Sequence, residues 1–270
     1  MCTTPSSSAP PPPPPLPLLT PESKFRSNKS HEISEDPSIC EWASSELDLR
    51  KACITYQICL TRAPFRYKYK HFQYILQEGP TCGLVALSMF VRGEVAPEEL
   101  LNLSKFLGYS NNGEMLSCKD MAKLAERVLS LAEMENITCT LKKGGLYSQE
   151  IIEDLFNGAI LLVPYDADYN HSPCLRQGHT AHWALVCGII IIKNPGDTYM
   201  SDPSNIYVLC RHGKSKLVAA WTLDDLYKSN MNLWEFCPKK ANDGLLYVQP
   251  EGGLGGENGL RDQFLLFKYT

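Results

Sequence analysis

The sequence predicts an α+β domain, with helices first and an antiparallel sheet after them. Three observations predict it. Apolar residues recur at helical spacing between Cys82 and Asn157. From Ile160 onward, short apolar or alternating runs take over. Compact turn signals, Asn194-Pro195-Gly196-Asp197 and Arg211-His212-Gly213-Lys214, separate several of those runs.

Each element has its own warrant. Between Glu41 and Ile58 the apolar residues Leu47, Leu49, Ile54 and Ile58 fall at loose helical spacing. Cys82 to Phe90 is almost wholly apolar, which predicts a buried central helix. Pro97-Glu98-Glu99-Leu100 is a helix start, with proline and acids in the first turn. Ser117-Cys118-Lys119-Asp120 has the form of a capping box, and Met121, Leu124, Ala125 and Val128 supply the apolar face behind it. Ser148 to Asn157 reads as a helix that Gly158 stops. Strands are expected at Ile160–Val163, His182–Ile192, Ile206–Cys210, Lys216–Trp221, Leu245–Val248 and Phe264–Phe267.

Composition narrows the function classes. Of 270 residues, about 220 look globular, enough for one well-packed domain. A net charge of −4 gives no reason to expect a nucleic-acid partner. The longest apolar run, Trp183 to Ile192, is far short of the roughly 20 residues of a membrane helix. The first residues carry no apolar leader segment, so the eleven cysteines are expected as reduced thiols in a cytoplasmic protein rather than as a disulfide framework. Residues 1–40 form a separate regime, a disordered tail and linker. The proline run Pro10 to Pro15 favours a polyproline II rod that could dock in an aromatic groove of the profilin, SH3 or WW kind. Residues 41–270 are the expected folded domain.

The chemistry centres on Gln77-Glu78-Gly79-Pro80-Thr81-Cys82-Gly83. A thiol at a helix mouth faces backbone N–H groups and the helix dipole. Such a site can lower a thiol pKa from about 8.5 towards roughly 3.5–7.5. A cysteine nucleophile also needs a base, a group that orients the base, and oxyanion donors. His182, at a strand start, is the candidate base. Asp202-Pro203 follows twenty residues on, and a hairpin through the Asn194–Asp197 turn would bring Asp202 beside His182 to fix its tautomer. Asn205 is the alternative orienter. The Cys82 N–H and the Gln77 side chain are the candidate oxyanion donors.

The ordered set glutamine, Cys-Gly at a helix start, His-Trp at a strand start, then Asp-Pro resembles papain-like cysteine peptidases, most of all the bacteriocin-processing branch. Gln77 stands five residues before the cysteine, where papain-like enzymes usually have six. A closer resemblance, to the actin maturation protease family, is carried by Leu76 to Leu87, Gly113-Glu114-Met115, Leu162 to Asp166 and Gly178 to Ala184. It implies a papain-like fold and a cysteine aminopeptidase without metal or organic cofactor. It also implies actin as substrate, with removal of the N-acetylated Met or Cys from its immature N terminus, and a proline run that contacts profilin. The stretch Asp166 to Thr180 reads as an insertion able to wall off one side of the site. Two other readings remain open on the residues alone. One is a non-catalytic scaffold that binds profilin or SH3-type partners. The other is a zinc-binding domain built on His171, Cys174, His179 and His182.

Overall fold

The apolar run at Cys82 forms the helix around which the other elements pack. In the computed structural model, which describes residues 37–194, 202–236 and 244–270, that run is α2 (Cys82–Phe90), and all nine of its residues are buried. Before it come α1 (Leu47–Thr55) and β1 (Arg66–Tyr69). After it come α3 (Pro97–Phe106), α4 (Cys118–Leu131), β2 (Ile137–Lys143), α5 (Gln149–Phe156), β3 (Ile160–Asp166) and β4 (Ala181–Ile191). The order closes with β5 (Ile206–Arg211), β6 (Ala219–Thr222), α6 (Leu223–Met231) and β7 (Gln263–Tyr269).

Local chemistry sets the helix ends where it was expected to. Ser117 Oγ accepts the Asp120 N–H at the start of α4, and Ser148 Oγ accepts the Ile151 N–H at the start of α5. The predicted face Met121, Leu124, Ala125 and Val128 is buried. The strands build one seven-stranded antiparallel sheet in the order β2-β7-β3-β4-β5-β6, with β1 also paired to β4. This is the α+β layout, within a compact unit spanning Asp36–Thr270.

Each face of the sheet has its own apolar layer. Trp183, Leu185 and Leu209 pack with α2 and α4 on one side. Ala184, Val186, Val208 and Cys210 pack with α5 and α6 on the other. A bulge between Val186 and Gly188 resets the alternation, so Ile189 and Ile191 rejoin the second layer.

The sequence reading needs two amendments here. Ile137–Lys143 is a strand inside the stretch read as helical, and its ladder with β7 holds one end of the sheet. Leu245–Val248 is not a strand; its backbone is tied instead to the Ser110–Glu114 loop, through Glu114 and the side chains of Asn111 and Asn112. The Asn194–Asp197 turn falls mostly outside the described residues, as do Pro10 to Pro15.

Gly83 lets α2 approach the sheet. A Cβ there would lie 2.6 Å from Met121 Cε and 3.0 Å from Trp183 Cδ1. The Trp183 indole cannot easily give way, because its Nε1–H donates to Met115 O at 2.8 Å. Gly83→Ala is therefore expected to cost about 1–3 kcal/mol of stability through overpacking. A urea midpoint equal to that of the parent would refute this.

Candidate functional site

Cys82 is the first residue of α2, and it stands where β4 begins. The backbone N–H groups of Trp183, Gly83 and Cys82 itself bear on the sulfur and favour its thiolate, as does the Lys214 ammonium. Burial works against them and wins, so the thiol is pushed up to about 11. The lowered pKa expected of a helix mouth is thus not what this structure holds. The resting group is a neutral thiol.

The alkylation profile of Cys82 follows from that state. Its rate with iodoacetamide should climb about tenfold per pH unit from pH 6 to 9, with no acid-side plateau, since only the thiolate reacts. A rate independent of pH between 5 and 7 would show a preformed thiolate and contradict this.

His182 is the second residue of β4, opposite Tyr165 on β3. It is buried, at 7% exposure, and its Nε2 has no hydrogen-bond partner. Burial holds the imidazole well below its ordinary range, with further lowering from His212, His171 and Lys214. It is therefore neutral near pH 7 and able to accept a proton. Cys82 and His182 both line one cavity of about 140 Å³, together with Gln77, Pro80, Glu114 and the apolar Met115, Leu116, Phe236 and Leu260.

Gln77 is brought to this cavity as expected. Its backbone N–H donates to Gly213 O at 2.8 Å, which ties the strand-like approach to the turn after β5. Its side-chain Nε2 donates to Gly79 O at 2.9 Å, and its Oε1 is buried without a partner.

Asp202 is not brought to His182, and neither is Asn205. The β4–β5 register pairs Ile191 with Ile206 and Leu185 with Arg211. Asp202 and Asn205 therefore sit at the far end of β4, where Asn205 O accepts the Ile192 N–H. At about 3.3 Å per residue, that end is about 30 Å from His182. Asp202 caps its own turn instead, accepting from Ser204 N, Ser204 Oγ and Asn205 Nδ2. Residues 195–201, which precede it, lie outside the described residues.

What stands near His182 is a pair of histidines. The ring centroids of His171, His182 and His212 are 5.8–5.9 Å apart in every pairing. His212 is 3% exposed and stacks on Trp221 at 5.8 Å. Burial, then His171, pushes its imidazole down to about 4. Sequence reasoning passed over His212 because it was read as a turn residue. The alternation Val208, Cys210, His212 continues the inward face of β5 and could have found it.

The Asp166–Thr180 stretch is an ordered loop. The buried Asp166 carboxylate accepts from the N–H groups of Arg176, Gly178 and Thr180 and from Thr180 Oγ1. Asp168 Oδ1 accepts the N–H groups of Asn170 and Ser172, and Tyr165 Oη donates to His171 O at 2.8 Å. Glu114, which lines the cavity, gathers its own loop in the same way, accepting from Ser110 Oγ and from the N–H groups of Asn111, Asn112 and Val248. Among the described residues no group of His, Cys, Asp or Glu is placed to hold a metal ion, so the set His171, Cys174, His179 and His182 does not converge. The nine described cysteines are free thiols, and no described helix is long and apolar enough to cross a membrane.

The arrangement, a buried thiol and a neutral imidazole at one cavity with backbone N–H donors at the sulfur, suits nucleophilic attack on a carbonyl. Known proteins point the same way. A family model described as actin maturation protease-like, C-terminal domain, matches residues 72–190, the stretch that carries Gln77, Cys82 and His182. The chain is 38% identical over 227 residues to the actin maturation protease of Drosophila melanogaster, across 84% of this chain and 80% of that one. It is 35% identical over 227 residues to that of Danio rerio, across 71% of each. It is 36% identical over 225 residues to that of Mus musculus, across 72% of this chain and 61% of the relative. Identity of this order over four-fifths of the fly protein's length places the chain in the actin maturation protease family.

Proposed function

We propose that this chain is a cysteine-type aminopeptidase that removes the N-acetylated Met or Cys from the N terminus of immature actin. The observation that carries the reading is the meeting of Cys82 and His182 at one cavity, at the mouth of a buried helix. The names of the relatives supply actin as the substrate. Residues 41–270 are read as the peptidase domain of a cytoplasmic enzyme. The tail 1–40, with its Pro10–Pro15 profilin contact, lies outside the described residues but for its last four.

In the proposed reaction, Cys82 Sγ attacks the carbonyl carbon of the acetylated residue as its proton passes to His182. The oxyanion is held by the Cys82 N–H, with the Trp183 N–H close by. Gln77 Nε2 joins them once it leaves its bond to Gly79 O. The C–N bond then breaks, and the departing amine takes the proton from His182. This leaves the acyl group on Cys82 as a thioester. Water attacks the thioester, His182 takes and returns the proton, and the N-acetyl amino acid departs.

The cavity supports the side-chain preference. A dry apolar space of about 150 Å³ accepts a benzene-sized group, and a methionine side chain is of that order. The apolar walls Met115, Leu116, Phe236 and Leu260 match it chemically. The ordered Asp166–Thr180 loop supports an exopeptidase, which needs one end of its cleft closed. Mass spectrometry of actin N termini tests the reading. Cells or extracts holding only the Cys82→Ala form should keep the acetylated initiator. Its removal by that form would refute the proposal.

A further inference from the structure

We propose that His212 is the positioning residue of His182, filling by ring contact the role that a carboxylate fills by hydrogen bond in a Cys–His–Asp triad. This rests on the Cys82–His182 reading above. His182 is hydrogen-bonded to no carboxylate among the described residues, and Asp202 is at the wrong end of β4. The ring must nonetheless be held, because general-base catalysis requires the accepting nitrogen within hydrogen-bond reach of the thiol.

Three rings surround it. Tyr165 meets it edge-on, with centroids 5.7 Å apart at 81°. His171 lies stacked at 5.9 Å, and its backbone is pinned by the Tyr165 hydroxyl. His212 meets it at 5.9 Å and 72°. Tyr165 is fully buried and serves as the fixed floor; of the two histidines, His212 is the more deeply buried, at 3% exposure. It stacks on Trp221 at an interplanar angle of 20°, and its Nδ1 accepts the Lys214 N–H at 3.4 Å, which leaves its proton on Nε2. The residue before it, Arg211, is buried, bonded to Asp48 and to Lys216 O. The residue after it, Gly213, accepts the Gln77 N–H. One short turn thus links the candidate oxyanion glutamine to the ring that abuts the base.

The charge pattern has a chemical consequence. From β3, the loop before β4, the turn after β5 and α2, the titratable groups around His182 are Tyr165, His171, His212, Lys214 and Cys82. One carboxylate, Glu114, lines the same cavity, but its oxygens are taken by Ser110 Oγ and the N–H groups of Asn111, Asn112 and Val248, and the charges that act on His182 are His212, His171 and Lys214. An imidazolium formed as the thiol gives up its proton is therefore poorly stabilised and is a strong acid. It returns that proton readily to the leaving amine. The site gives up a stable ion pair and gains a better general acid.

The test compares His212→Ala and His212→Phe with His182→Ala and Cys82→Ala, on a peptide that begins with N-acetylmethionine. His212→Ala should lower kcat by at least about tenfold with KM within about twofold, a part of what general-base catalysis contributes. His212→Phe, which keeps an aromatic ring on Trp221, should recover most of kcat. In both variants the acid limb of kcat/KM should move to higher pH, because a neighbour that opposes protonation of His182 is gone. Parental kcat in His212→Ala overturns the proposal. So do equal losses in both variants with an unmoved acid limb, which would mark a structural role. If His182→Ala is inactive and the His212 variants are silent, this proposal alone falls. If His182→Ala is active, the dyad reading falls and takes this proposal with it.

Discussion

Cys82→Ala should abolish turnover of an N-acetylmethionyl peptide, with a loss of at least about 10⁴-fold, while the peptide still binds. Removing a nucleophile leaves only the oxyanion donors and the binding surface, and in enzymes of this logic those retain little of the rate. Cys82→Ser should fall almost as far. The Cys82 thiol is already costly to ionise, pushed up to about 11 by burial. A serine hydroxyl in the same place starts from a much higher pKa. The base that would have to activate it is an imidazole held well below its ordinary range. Binding should survive in both, because the apolar walls of the cavity do not include the sulfur. Isothermal titration and single-turnover kinetics separate the two effects. Turnover within tenfold of the parent in Cys82→Ala would remove Cys82 from the mechanism.

The parts of this molecule that depend on nearest neighbours were legible in the sequence. Ser117 and Ser148 cap the helices they precede, and the apolar block from Cys82 to Phe90 is buried throughout. Proline starts α3, and glycine follows α5. Cys82 and His182 could be picked out for the same reason, as residues at an element's first turn or first rung. Asp202 could not be placed that way. Its distance from His182 depends on the β4–β5 register, and eleven residues of β4 separate the two ends of that ladder. A hairpin with a tight turn would have set the register locally. Here the connection runs from Ile192 to Asn205, too long for turn chemistry to fix it. β1 was invisible for another reason: Arg-Tyr-Lys-Tyr pairs with β4 but is half exposed, so it shows no apolar face. β2 was readable, with Ile137, Cys139 and Leu141 on alternate positions, but the helical texture around it hid the period.

The resting electrostatics also escaped the sequence. A helix mouth favours an anion, and the backbone donors at Cys82 do act in that direction. Their effect is overridden because Cys82 is buried, and burial is a property of the packed domain rather than of the Gly-Pro-Thr-Cys-Gly segment. The same holds for His182, whose lowering follows first from burial and then from His212, His171 and Lys214, groups contributed by other parts of the chain.

The largest stability effect is expected at Asp166. Asp166→Ala removes the acceptor for three backbone N–H groups and the Thr180 hydroxyl, all within the loop that precedes His182. The Thr180 hydroxyl keeps Ala167 O as an acceptor. Each of the three N–H groups left without a partner costs about 1–3 kcal/mol, and partial access of water to the loop lowers the sum, so about 3–5 kcal/mol is expected. For a domain of this size that corresponds to a melting point lower by about 10 °C. Asp166→Asn keeps the volume but turns one acceptor oxygen into a donor aimed at other donors, so it should recover little. The functional signature follows from position: β3 ends at Asp166, and the loop returns to β4 one residue before Ala181. A loosened loop should shift His171 away from the histidine triangle and, on the proposal that this loop walls one end of the cleft, open that end. At a temperature where the variant is still folded, kcat on the acetylated peptide should fall and cleavage of internal bonds should rise. An unchanged melting point would mean that the three N–H groups find other acceptors. Unchanged specificity in a destabilised variant would mean that the loop braces the fold without walling the site.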